Sequence, residues 1–142
     1  MCLSKYYVYR FLDKDNNIIY IGKTNNLSRR MNGQHFSHRG HLVRECYIET
    51  EKIEYSQYKS SNMMSIYEIF LINKHTPCYN QEFNYDEGID IELPEPIWIE
   101  YPITDSMRQS IKEEDDNARW EAKEAYDIES WYICFAALGG GL

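Results

Sequence analysis

The chain is short of the features that classify a protein most quickly. It has no apolar run near the roughly 20 residues that a membrane-spanning helix needs, so no membrane partner is expected. Its first residues, Met-Cys-Leu-Ser-Lys, lack the apolar core of a secretory signal. It has four cysteines, Cys2, Cys46, Cys78 and Cys134, at irregular spacing and with no C-x-x-C pair. That pattern argues for reduced thiols in a cytoplasmic protein and against a disulfide framework or a zinc site. No internal repeat is present. Positive charge is scarce in the second part: residues 81–142 hold 4 Lys+Arg against 16 Asp+Glu, a net charge of −12.

What is present points to a compact domain. An apolar fraction of 43 % and an aromatic fraction of 15 % in 142 residues suffice for a real core. Thirteen tyrosines fit a small mixed sheet with wet clefts, because tyrosine joins a buriable ring to a polar tip. Residues 1–80 hold 11 Lys+Arg against 7 Asp+Glu, so this part carries +4 and can attract a polyanion. The acidic remainder would repel one, so the two parts are expected to have different partners.

Residues 5–12, KYYVYRFL, read as a strand from their β-branched and aromatic content. Residues 13–17, DKDNN, form a turn, and IIYIG at 18–22 returns as the second strand of a hairpin. The chain breaks at Gly22, and Asn25 or Asn26 caps a helix that carries Leu27 and Met31 on one face. LVRECYIET at 42–50 fits a helix or a strand. KIEYSQY at 52–58 alternates and reads as a strand. Ser60 or Ser61 caps a helix ended by Pro77. Prolines 94, 96 and 102 keep residues 81–103 extended, with an edge strand in PIWIEYP. Asp105 is expected to cap a helix to about Tyr126, followed by a docking segment, SWYICFAAL, and a flexible GGG. The fold class is therefore α+β: a small central antiparallel sheet of about three strands flanked by helices, with an acidic helical extension. Residues 1–82 form the main domain and 83–142 the extension.

Two places carry chemistry. The helix around 61–75 is apolar almost all round, so it should be largely buried, yet Glu68 sits in its middle. A buried carboxylate costs several kcal/mol unless paired, protonated or bound to a cation. Glu68 therefore lies on a residual solvent stripe, pairs with an arginine, or holds a metal. The second place is NNIIYIGKTNNLSRRM at 16–31. It gathers Tyr20, Lys23 and Arg30 about one strand-to-helix connection, an arrangement suited to phosphate. Taken singly, each of these residues reads as ordinary sheet or surface.

Together the motifs resemble the GIY-YIG nuclease family, of small phage or bacterial type. YVY at 7–9 stands where that family has Gly-Ile/Val-Tyr, and YIG at 20–22 matches its second motif. Tyr9 and Tyr20 are 11 apart, Arg30 follows Tyr20 by ten, and E-x-x-L-I at 68–72 precedes P-x-Y-N at 77–80. The resemblance covers about residues 5–82. It implies a phosphodiester hydrolase using one Mg²⁺ or Mn²⁺ ion, held by Glu68. Tyr9 would activate or orient the attacking water, or only relay a proton, and Tyr20 would hydrogen-bond beside it. Arg30 would stabilise charge on the phosphoryl oxygens, Asn80 would brace the site, and Lys23 matches a lysine of some members. Lys23, Arg29, Arg30 and Arg39 are the expected contacts to nucleic acid, DNA in preference to RNA.

The sequence departs from the family pattern twice. Tyr7 replaces the opening glycine, where the hairpin is expected to distort. Four residues after the arginine, where many members have His or Tyr, stands Gln34, with His35 next; a helix distortion near Gly33 would bring His35 into the site. His38 and His41 have weaker claims. The hairpin supplies an internal test: a symmetric turn at 13–17 puts Tyr9 and Tyr20 on opposite faces, because side chains alternate with period two. A shared site therefore requires a bulge or a one-residue shift. Residues 83–142 are too acidic for a DNA-binding surface. They are expected to cap the domain through Trp98, Trp120, Trp131 and Phe135, to form a homodimer or protein interface, or to inhibit. The alternatives to a nuclease are a catalytically weak nucleic-acid- or protein-binding module of the same fold and an acidic regulatory subunit.

Overall fold

A computed structural model of the chain describes residues 5–37, 39–81 and 90–112. Strands β1 (Tyr6–Leu12) and β2 (Ile18–Thr24) form the expected hairpin. Its turn is tied by Asp13, whose Oδ1 accepts the amide N–H groups of Asp15 and Asn17. Asn16 takes the left-handed conformation, φ 62°, that asparagine tolerates. Helix α1 (Leu27–Arg30) leads into one wide π-type turn, Met31–His35. After α2 (Arg44–Glu49) come β3 (Lys52–Tyr58), α3 (Ser61–His75) and β4 (Ile99–Tyr101). A further helix, α4, occupies 105–112.

The sheet is antiparallel, in the order β2-β1-β3-β4, so the expected edge strand brings it to four strands. The added strand lies in PIWIEYP and sits at the edge, where its flanking prolines sacrifice no ladder bond. Ser60 caps α3 by accepting the Met63 N–H. Thr104, rather than Asp105, caps α4: its Oγ1 accepts the Met107 N–H, and its carbonyl oxygen accepts that of Arg108. The expected continuation to Tyr126, the SWYICFAAL segment and the glycine run lie outside the described residues.

The hairpin is asymmetric. Leu12 pairs with Ile18 but Phe11 pairs with Tyr20, so Ile19 is the extra residue of a bulge. Tyr9 then falls opposite Gly22 and shares a face with Phe11 and Tyr20. Around Tyr7 the ladder is regular on both sides, against Thr24 and Gln57, so the missing opening glycine causes no distortion.

Each sheet face has its own packing layer. One face carries Tyr9, Phe11, Tyr20 and Ile53 against Met31, Phe36, Cys46, Tyr47, Met107 and Ile111, from the α1 region, α2 and α4. The other carries Val8, Ile21 and Tyr58 against Met64, Tyr67, Leu71 and Ile72 of α3. Leu93 and Trp98 extend this second layer. Trp98 lies under the Arg10 guanidinium, 4.0 Å from its ring centre, and Tyr67 donates to the Pro94 carbonyl. Helix α3 is less buried than its composition suggests: Met63 and Ile66 lie on its exposed side. No described helix is long and apolar enough to cross a membrane.

Candidate active site

Strand β2 is the outermost strand at its end of the sheet, and the site forms around its free edge. Residues just past α3 pad that edge. Tyr79 donates its N–H to the Ile19 carbonyl, while the Asn80 amide accepts the Ile21 N–H and donates to the Ile21 carbonyl. One side-chain amide thus replaces a neighbouring strand and satisfies backbone groups that would otherwise be costly to bury. Asn80 is a brace in this plain sense.

Beside this edge lies a cavity of about 700 Å³. Tyr20, Lys23, Arg30, His41, Glu68 and Asn80 contribute to its lining. The structure therefore brings together five of the sequence-selected residues and adds His41. Glu68 is buried to 8 % exposure on α3, and its carboxylate lies 3.7 Å from the Lys23 ammonium. It lines the cavity and pairs with a lysine, and at this burial it does not lie on a solvent stripe. Lys23 also donates to the Ser65 hydroxyl, one turn before Glu68.

The strand does not break at Gly22; β2 continues to Thr24, and Asn26 caps α1 by accepting the Arg29 N–H. The glycine serves a different purpose. A Cβ there would lie 2.4 Å from the Tyr9 hydroxyl oxygen. Glycine opposite Tyr9 leaves room for the phenol to cross the sheet, so that its hydroxyl reaches the α1 side.

That hydroxyl is the centre of a buried polar cluster. Arg30 Nε donates to it at 3.1 Å, and His35 Nε2 lies 2.6 Å away. His35 Nδ1 lies 3.0 Å from the Tyr47 hydroxyl, which accepts the Leu42 N–H. The π-type turn explains how His35 arrives. Phe36 N–H bonds to the Met31 carbonyl five residues back, so one residue is added to the turn after Arg30. Gln34, at the expected spacing, instead accepts from Arg30 at 2.8 Å and holds the guanidinium fork. His35, one residue later, is rotated into the core at 0 % exposure.

Burial governs the titrations. It raises the Tyr9 hydroxyl well above its ordinary pKa, reinforced by Tyr20 and opposed by Arg30. Burial also raises Tyr20, again against Arg30. His35 is held down at about 3, first by burial and then by Arg30 and His41, so its imidazole is neutral at ordinary pH. Burial and Arg30 lower His41 as well. Burial disfavours the Arg30 charge, but the Tyr9 and Tyr20 hydroxyls outweigh it and its pKa rises. Tyr9 is therefore a buried neutral phenol rather than a standing base, while Tyr20 reaches the cavity wall.

Other selected residues are not at the cavity. Arg29 points into a separate open groove with Lys5, Tyr7 and Tyr101. Arg39 is exposed on the loop before α2. His38 lies outside the described residues. Tyr47 was not singled out by sequence reasoning, and one tyrosine among thirteen, outside any motif, offers no signal. His41 carried a weak one, as a histidine near the expected arginine.

Among the described residues no group of three or more His, Cys, Asp or Glu side chains gathers as a metal site. Glu68 alone suits a hard ion such as Mg²⁺ or Mn²⁺, which takes the rest of its oxygens from water and substrate. It does not suit zinc, which takes three or four protein ligands.

Comparison with known proteins agrees with this geometry. The model of the GIY-YIG catalytic domain matches residues 5–84. UvrABC system protein C of Treponema denticola is 36 % identical over 73 residues, 51 % of this chain and 11 % of that protein. UvrABC system protein C of Methylococcus capsulatus is 30 % identical over 83 residues, 57 % of this chain and 13 % of that protein. The chain thus spans a small part of the length of these relatives. No solved structure gave a significant match. A hairpin bulged to bring two tyrosines to one face, an arginine bonded to the first of them, a cavity-lining glutamate and an asparagine bracing β2 accompany a catalytic-domain match over more than half the sequence: the chain belongs to the GIY-YIG family of nuclease domains.

Proposed function

We propose that the chain is a divalent-metal-dependent endonuclease that hydrolyses phosphodiester bonds of DNA. The observation that carries this reading is the convergence of Arg30, Lys23, Tyr20 and Glu68 on one cavity beside the β2 edge. Phosphoryl transfer needs positive charge around the phosphoryl oxygens and a positioned nucleophile, with little covalent chemistry from the protein. A single Mg²⁺ or Mn²⁺ ion, when bound at Glu68, would polarise the phosphoryl group and neutralise developing charge. Arg30, fixed by Gln34 and Tyr9, offers its guanidinium to the phosphate. Lys23 turns its ammonium from the Glu68 carboxylate to substrate when the ion binds. Tyr20 orients the attacking water from the cavity wall, while buried Tyr9 acts behind it by holding Arg30 and relaying a proton. Asn80 keeps β2 in register. Arg29 and Arg39 contact phosphates away from the cleaved bond.

The same proposal places the protein in the cytoplasm, as its unpaired cysteines Cys46 and Cys78 suit a reducing compartment. The charge of −12 on residues 81–142 favours a second role for that part, as a protein or homodimer interface rather than a DNA surface. The test is a panel of end-labelled single- and double-stranded DNA and RNA in Mg²⁺ or Mn²⁺. Internal cleavage of DNA that chelation stops is the expected outcome. No cleavage of any substrate in either metal would refute the nuclease reading, and cleavage of RNA alone would refute the choice of DNA.

A further inference from the structure

Tyr47 is not among the residues that line the cavity and has no part in the roles above. It belongs to α2, its ring packs against Phe36 and His35, and it is 2 % exposed. Among the described residues its hydroxyl has two hydrogen-bond partners: the Leu42 N–H at 3.2 Å and His35 Nδ1 at 3.0 Å. The loop before α2 delivers the first of these. Gly40 lets that loop pass close, since a Cβ there would lie 2.6 Å from the His35 carbonyl oxygen and 2.8 Å from the Tyr47 hydroxyl.

The proton count then fixes the direction of every bond. A backbone N–H can only donate, so the Tyr47 oxygen accepts from Leu42. The Tyr47 proton must go elsewhere, and His35 Nδ1 is its acceptor among the described residues. A neutral imidazole has one N–H, so His35 carries it on Nε2. That N–H points at the Tyr9 oxygen, 2.6 Å away, which also accepts from Arg30 Nε. With two N–H groups aimed at its oxygen, Tyr9 turns its own proton to a third side. The Tyr20 ring packs against Tyr9, 6.1 Å between centres, and Tyr20 lines the cavity. The reverse arrangement would send the Tyr9 proton into His35, away from the cavity, and strand the Tyr47 proton in the core at the cost of an unmade bond.

We propose that Tyr47 is a positioning residue which, anchored by the Leu42 N–H, fixes His35 as the Nε2–H tautomer and so holds the Tyr9 hydroxyl as an acceptor from His35 and Arg30 with its proton directed toward Tyr20 and the cavity. The proposal rests on the nuclease reading for its catalytic consequence but not for its structural content. Mutual polarisation along such a chain of hydrogen bonds strengthens each member, so a residue far from substrate acts on the phenol pair at the cavity.

Long-range ¹H–¹⁵N correlation spectra of the histidine-labelled full chain read the tautomer directly. The expected spectrum of the wild type shows His35 protonated on Nε2, with an unprotonated Nδ1. Protonation on Nδ1, or a mixture of the two forms, overturns the proposal. In Tyr47→Phe the single Nε2–H form is lost, and kcat for nicking supercoiled plasmid DNA in Mg²⁺ falls roughly tenfold with KM unchanged. An unchanged tautomer or an unchanged kcat in that variant also overturns it. If Tyr47→Phe does not fold, the wild-type spectrum decides alone. If the wild type does not nick DNA, the proposed function fails while the tautomer test stands.

Discussion

The two faces of the sheet are built to different rules. Behind Tyr9 the packed layer is a cluster of rings with heteroatoms: Tyr9, Tyr20, His35 and Tyr47 around Phe11 and Phe36. Behind Val8 the layer is mainly aliphatic and thioether, from Met64, Leu71 and Ile72, with Tyr58 and Tyr67 stacked at its side. An interior polar group is costly unless every bond is made, and the Tyr9 side makes them, as Arg30, Gln34, His35 and the Leu42 amide close the cluster. The Val8 side has less to close, with Ser56 bonded to Tyr58 and Tyr67 to the Pro94 carbonyl, and Glu68, the buried acid among the described residues, lies at the cavity margin. The difference teaches that the Tyr9 face is held by a closed polar cluster and the Val8 face chiefly by apolar packing, from which α3 sends Glu68 to the cavity.

Substitutions on the two faces should therefore fail in different ways. The largest effect is expected on the Tyr9 side. Arg30→Ala should lower kcat for DNA cleavage roughly a thousandfold, about 4 kcal/mol in the barrier, and cost only about 1–2 kcal/mol of stability from the bond lost to Tyr9. Leu71→Ala on the Val8 side should do the opposite. It should cost about 3 kcal/mol of stability by urea unfolding and leave kcat of the folded fraction near wild type. If Leu71→Ala reduced kcat as strongly as Arg30→Ala, the division between the faces would be wrong.

Gly22→Ala joins the two effects, because the new Cβ meets the Tyr9 hydroxyl at 2.4 Å. The Tyr9 ring must shift, and a loss of about 2 kcal/mol in stability is expected, together with reduced cleavage. A fully active, fully stable variant would show that the phenol is not confined there. Per pH unit the smallest effect is the pH dependence of stability. The unfolded chain binds a proton at His35 below its ordinary pKa of about 6.5, whereas the folded chain does so only near 3. Between these values the unfolded state holds more protons, so stability rises with pH and falls on acidification. The His35 share is at most about 1.4 kcal/mol per pH unit, seen as a shallower urea-midpoint slope in His35→Gln. Equal slopes in the two proteins would mean that His35 is not held neutral by the Tyr9 side.

Much of this division is legible in the sequence. The spacing of Tyr9, Tyr20, Arg30, Glu68 and Asn80 selects residues that the fold gathers at and behind one cavity, and the alternation rule, once Tyr9 and Tyr20 are taken to share a face, demands the bulge found at Ile19. Gly33, as a weak point in the first helix, announces the wide turn that admits His35. Other features depend on contacts between distant segments and are not legible. The purpose of Gly22 becomes plain only when Tyr9 is seen opposite it. The edge strand expected in PIWIEYP is present, but that it joins β3, with Tyr101 against Ile53 and Ile99 against Tyr55, shows only in the fold. Thr104 outcompetes Asp105 as a cap by one position, a choice that local propensity does not make, since both residues cap well. Tyr47 depends on where α2 docks, which no periodicity in LVRECYIET specifies.

The direct test of the central claim is metal-dependent cleavage of DNA by the wild type beside Glu68→Gln, with thermal unfolding followed on the same samples. Glu68 is the carboxylate at the cavity, and glutamine keeps its shape while removing its charge. The expected result is Mg²⁺- or Mn²⁺-dependent cleavage by the wild type, a loss of at least roughly a hundredfold in Glu68→Gln, and similar unfolding temperatures. Cleavage by Glu68→Gln at the wild-type rate would contradict the account.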